Sequence, residues 1–115
     1  MYNVSFASGK SRIIHCAALH ALLNGRQKVH IVTCTQSLAE REQSEFTEYF
    51  KPYNLQDRVA WHYTIDFASD RNDLLIIDEA DWILGMNPLA FFELINRDSA
   101  VLCFSGSKLG SHDVS

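Results

Sequence analysis

Only two prolines and five glycines interrupt 115 residues, so a collagen-like, low-complexity or linker-rich chain is excluded. Cysteine is equally sparse: Cys16, Cys34 and Cys103 sit in apolar segments without metal-ligand spacing, and buried, reduced thiols in an intracellular protein are expected. The five histidines, His15, His20, His30, His62 and His112, show no ligand spacing either, and none is expected to hold a metal. A basic excess is missing as well. Ten Lys and Arg stand against fourteen Asp and Glu, a formal net charge of -4, so nothing in the overall charge favours nucleic acid as a partner. No run approaches membrane-spanning length, and the start has neither a charged region nor an apolar core of the kind a leader needs. A cytoplasmic protein is expected, peripheral to a membrane at most.

What the chain does have is 47% hydrophobic residues, ordinary for a globular domain, and a length of 115 residues, enough for one domain with a real core but about half of what a two-lobed motor requires. These residues fall into alternating strand-like and helix-like segments. From Ser11 to Leu23 the apolar positions nearly encircle a helix, and Asn24-Gly25 ends it. Val29 to Cys34 reads as a strand. Ser37-Leu38-Ala39-Glu40 has the form of a capping box, and the helix it opens carries Leu38, Ala39, Phe46, Tyr49 and Phe50 before Pro52 stops it. Val59 to Tyr63 is a strand, and Asp66 to Asp73 is polar and loop-like. A strand at Leu74 to Ile77 then precedes a short helix from about Ala80 and a second helix that Asn87 caps and Pro88 begins. Ala100 to Phe104 reads as a last buried strand, and residues 108–115 as a flexible tail after a single domain over residues 1–107. The order predicts a three-layer α/β domain with a mostly parallel sheet, binding its ligand at the carboxyl ends of the strands.

The chemistry concentrates where the apolar strand Leu74-Leu75-Ile76-Ile77 delivers Asp78-Glu79-Ala80-Asp81. This has the form of a Walker B strand followed by the D-E-A-D tetrad of superfamily 2 helicase-like ATPases. In that chemistry Asp78 holds a magnesium ion while Glu79 polarises the water that attacks the γ-phosphate. An apolar strand followed by an acidic first helical turn gives the same letters without any nucleotide. Near the amino terminus Ser8-Gly9-Lys10-Ser11, with Arg12 beside it, matches the second half of the phosphate-loop pattern. Backbone N–H groups there can cradle phosphates, Lys10 can reach the β- and γ-phosphates, and Ser11 can ligate magnesium. The first glycine of the pattern is replaced by Val4. Ser105-Gly106-Ser107, after the last strand, is either a coupling tripeptide whose Ser105 or Ser107 bonds to Asp81, or a simple turn.

Between these motifs, Lys28-Val29-His30-Ile31-Val32-Thr33, Leu38-Ala39-Glu40-Arg41-Glu42 and the stretch from Glu45 to Leu55 resemble the first nucleotide-binding lobe of the preprotein translocase ATPase SecA. Asp78-Glu79-Ala80-Asp81-Trp82-Ile83-Leu84 is similar to that family's D-E-V-D-S-I-L. The resemblance runs from about Ser8 to Leu84. It implies a P-loop, RecA-like fold, ATP and magnesium as cofactors, a second motor lobe as partner, and an unfolded protein as the substrate moved. Two departures qualify it: the block before the Walker B strand is short, and no room remains after Leu84 for the family's preprotein-binding domain. A nucleic-acid helicase lobe and a nucleotide-binding remnant without turnover remain alternative readings. One structural expectation follows from the motif order: residues 1–6 should supply a central strand between Leu74–Ile77 and Ala100–Phe104, either as a short strand at Tyr2-Asn3-Val4 or not at all, with the flanking strands closing up.

Overall fold

The computed structural model describes the backbone of residues 2–3 and 7–105 and the side chains of residues 12–104. In chain order the elements are β1 (Tyr2–Asn3), α1 (Ala7–Leu23), β2 (Val29–Val32), α2 (Gln36–Tyr49), β3 (Val59–His62), β4 (Leu74–Ile77), α3 (Ala80–Met86), α4 (Pro88–Ile95) and β5 (Ala100–Ser105). Two 3-10 turns, Lys51–Tyr53 and Gln56–Arg58, join α2 to β3.

The five strands form one sheet in the order β1-β5-β4-β2-β3, and every pairing is parallel. Parallel strands covered on both faces are buried at every position, and Val29 to Val32 are, His30 included. Successive side chains point to opposite faces. Val29, Ile31, Val59, Ile76 and Phe104 therefore meet Ile14, Ala18 and Leu22 of α1 and Phe46 of α2. Val32, Leu75 and Ile77 meet Ile83 of α3 and Leu94 of α4 on the other side. This is the three-layer α/β architecture the sequence predicts.

The strand order agrees with the expectation that the strands flanking the missing centre close up, and corrects only the central place expected of residues 1–6. β4 pairs directly with β5, Leu74 opposite Ala100 and Ile77 opposite Cys103, and β1 lies outside β5 through Tyr2 opposite Phe104 and Asn3 opposite Ser105. The two apolar strands satisfy each other's backbone groups, so no unpaired ladder is left where a central first strand was expected. The short strand does form, at the edge instead of the centre.

Helix boundaries follow local capping. Gly25, at φ 106°, ends α1 in the left-handed conformation: Arg26 N–H donates to Ala21 O at 3.0 Å and Gly25 N–H to Leu22 O at 3.4 Å. α1 starts at Ala7, four residues before the expected Ser11. Its buried stripe is also narrower than the sequence suggests, since Cys16 and Leu23 are exposed. Cys34 and Cys103 are partly buried and none of the three forms a disulfide, so burial holds for only two of the three. α2 is capped by Thr35, whose hydroxyl accepts from Leu38 N–H at 3.2 Å, and not by Ser37. Asn87 caps α4 as expected, accepting from Ala90 N–H at 3.2 Å with Pro88 in the first turn. No helix among the described residues is long and apolar enough to cross a membrane.

Candidate functional site

From β2 the chain turns towards β3, and from β4 it turns the opposite way towards β5. Ligands of open parallel sheets bind in the crevice at such a reversal, outside the carboxyl ends of the strands. Here that crevice is bounded by Thr33 after β2 and Asp78 after β4. The sheet keeps its ladder up to this edge: Asp78 N–H donates to Val32 O and Thr33 N–H to His62 O, both at 2.8 Å. Asp78 is fully buried. Glu79 follows with φ 58° and ψ 43°, the left-handed region, and is partly exposed. A glutamate there costs of order 1–3 kcal/mol and persists where the surroundings impose it, most often at functional sites. The Glu79 carbonyl accepts from Trp82 and Ile83 N–H, which begins α3 with Asp81 partly buried in its first turn. An acidic residue in that place also stabilises the helix dipole.

α1 connects the parallel strands β1 and β2 and therefore runs against them, opening at the carboxyl edge where Asp78 lies. The backbone of Ser8, Gly9, Lys10 and Ser11 belongs to the opening turns of this helix, whose first N–H groups have no carbonyl partner within it. The side chains of these four residues lie outside the described residues, as does that of Ser105, the last residue of β5; Ser107 lies outside altogether. Arg12 is exposed and rests over the Tyr49 ring at 5.2 Å, its guanidinium 3.5 Å from the Tyr49 hydroxyl. It thereby joins α1 to α2. Trp82 is half exposed at the same edge, whereas Trp61 packs against Phe46.

On the α3–α4 side of the edge a groove of about 290 Å³ opens between Thr33, Tyr63 and Thr64 on one wall and Trp82, Met86 and Asn87 on the other. Its first wall continues into the strap of residues 63–73, which joins β3 to β4 without a helix. Against this strap lies a group of residues that reading along the sequence does not bring together. His30 Nε2 lies 3.1 Å from Asp73 Oδ2, and His30 Nδ1 lies 3.0 Å from His62 Nε2. Phe67 stacks on His62 with ring centroids 3.7 Å apart, and Arg97 caps Phe67 at 4.4 Å. Burial pushes His62 down to about 4, helped by His30, Lys28 and Arg97; it also lowers His30, against the opposing pull of Asp73. The only signal in the sequence is the register that sets Val32 opposite His62, which needs the paired strands to be known.

Comparison with protein-family models and with curated proteins gave no match. The geometry defines the class: a three-layer α/β domain with a parallel sheet and a buried carboxylate at its topological reversal.

Proposed function

We propose that this chain is an ATP-binding motor lobe of the helicase-like P-loop type, similar to the first nucleotide-binding lobe of SecA. In this reading it hydrolyses ATP with magnesium, and drives protein movement when a second lobe completes the site. The observation that carries the reading is the fully buried Asp78 at the carboxyl end of β4, beside a left-handed Glu79, on the edge where the Gly9-Lys10-Ser11 turn of α1 opens. A carboxylate at the carboxyl edge of the strands stands where a nucleotide-bound cation would lie.

Magnesium bound to nucleotide keeps several waters and takes one or two protein oxygens besides the phosphates. Asp78 with the Ser11 hydroxyl fits that demand, even though no group of three or more His, Cys, Asp or Glu among the described residues could hold a metal on its own. The ion would neutralise charge developing on the phosphates. Lys10 would bind the β- and γ-phosphates, Glu79 would orient and deprotonate the attacking water, and the opening N–H groups of α1 would hold phosphate oxygens. Asp81 with Ser105 or Ser107 would relay nucleotide state to the neighbouring lobe.

Titration with ATP, with and without magnesium, tests the reading. Lys10→Ala should weaken binding by about 2–5 kcal/mol, because a desolvated ammonium–phosphate pair is lost. Glu79→Gln should still bind while hydrolysis falls by about 10²-fold. Unchanged affinity in Lys10→Ala would remove the assignment. Val4, in place of the loop's first glycine, favours the remnant without turnover as the second reading, which binding without any hydrolysis would select.

A further inference from the structure

We propose that Cys16 and His20, one turn apart on the outward face of α1, form a two-donor clip for a thiophilic divalent cation such as zinc. The inference is independent of the nucleotide reading, whose magnesium belongs at Asp78 and wants oxygen donors. It departs from the sequence-based expectation that no cysteine or histidine holds a metal, and the departure comes from the helix. α1 runs unbroken from Ala7 to Leu23, so positions 16 and 20 share a face, with Cβ atoms about 5–6 Å apart. Both side chains are exposed, whereas Ile14, His15, Ala18 and Leu22 around them are buried.

Zinc binds thiolate sulfur at about 2.3 Å and imidazole nitrogen at about 2.0–2.1 Å, which sets the two donors about 3.5 Å apart at a tetrahedral angle. Side chains four residues apart on a helix converge to that separation, as the two histidines of a zinc-binding H-E-x-x-H helix do at the same spacing. Sulfur and imidazole select zinc over magnesium or calcium. The platform is rigid. Its inner side is fixed by Ile14, Ala18 and Leu22, none more than 5% exposed. Its last turn is fixed by Asn24, whose backbone N–H and Nδ2–H both donate to His20 O, at 3.0 and 2.8 Å. Arg12, one turn before Cys16, has its guanidinium engaged over the Tyr49 ring of α2 at 5.2 Å. Among the described residues no third His, Cys, Asp or Glu joins the pair. The remaining coordination positions therefore fall to water or to a donor from another molecule, and the clip binds less tightly than a closed four-ligand site.

Cobalt(II) is the probe, because it takes zinc's place and reports a bound thiolate by a charge-transfer band in the near ultraviolet. The whole chain, kept reduced, is titrated with cobalt in excess, and the cobalt is then displaced with zinc. The band should appear, zinc should bleach it, and excess magnesium should leave it in place. Cys16→Ser should lose the band, while Cys34→Ser and Cys103→Ser keep it. His20→Asn should weaken zinc binding by about tenfold or more, since even the outer partners of metal ligands are commonly worth that much. His20→Gln serves as its replicate. Both positions are exposed, so the metal-free variants should unfold as the parent does. The proposal is overturned if the parent shows no thiolate band, if the band survives in Cys16→Ser, or if magnesium removes it. It is equally overturned if His20→Asn and His20→Gln bind zinc as tightly as the parent.

Discussion

On one face of the sheet α1 and α2 lay Ile14, Ala18, Leu22 and Phe46 onto the strands, and the one polar ring named within that layer, His15, is buried with neither nitrogen hydrogen-bonded. It meets Phe46 and Trp61 edge-on at 5.6 Å instead. On the other face the cover is thinner: α3, α4 and an irregular strap, pinned by Arg97, Asn87 and the His62–His30–Asp73 chain. The first face is held by area, which tolerates small shifts. The second also buries Val32, Leu75, Ile77 and Leu94, but adds directional contacts, which fix positions along the groove and fail singly.

The largest effect should come from the first face. Phe46 is fully buried and packs on His15, Phe50 and Trp61, so Phe46→Ala should cost about 3–5 kcal/mol in denaturant unfolding. A cost near 1 kcal/mol would mean that this face is no better packed than the other. Acid provides the next test. Burial holds His15 down to about 4 from its ordinary 6.5, so between those values the unfolded chain binds a proton that the folded chain refuses. Stability is therefore complete above about pH 6.5 and falls as pH drops through that window, by about 3 kcal/mol at most for this group. His62, lowered in the same direction, adds to the loss. In His15→Leu the fall measured from pH 7 to about pH 4 should shrink to the part the second face contributes.

The second face should respond in smaller steps. Arg97→Ala removes two bonds to strap carbonyls, the pair with Glu93 and the contact with Phe67; a loss of about 1–2 kcal/mol is expected. Amide exchange should rise at residues 65–69 and leave α1 and α2 unchanged. Least of all, Thr35→Ala and Asn87→Ala each remove one cap and should cost about 1 kcal/mol apiece in thermal unfolding. Equal costs would show that capping is local and does not distinguish the faces.

Much of this was legible because it is local. Asn87-Pro88 names its own helix start, Asn24-Gly25 its helix end, and four consecutive apolar residues before Asp78 read as a covered strand. Local signals also misled. Ser37 with Glu40 fits a capping box, but Thr35 stands two residues earlier, nearer the end of β2, and caps first. What could not be read is what pairing decides. The position of β1 outside β5 depends on which strands satisfy each other's backbone, and the His30–His62–Asp73 chain joins three segments that only the register of β2 and the turn before β4 bring within reach. The two acids of the site were visible as residue types. The left-handed backbone of Glu79 was not, since nothing in a glutamate announces it.

The edge position of β1 also has a consequence in time. Tyr2 pairs with Phe104 and Asn3 with Ser105, so this contact closes a loop of nearly the whole described chain, whereas β2 finds β3 and β4 across much shorter ones. Closing longer loops costs more entropy, and β1 has no neighbour at all until β5 exists. During synthesis β2, β3 and β4 are made before β5, so their pairings can form before β5 is available. The segment leading into α1 is made before any of its neighbours and is the last to find its strand.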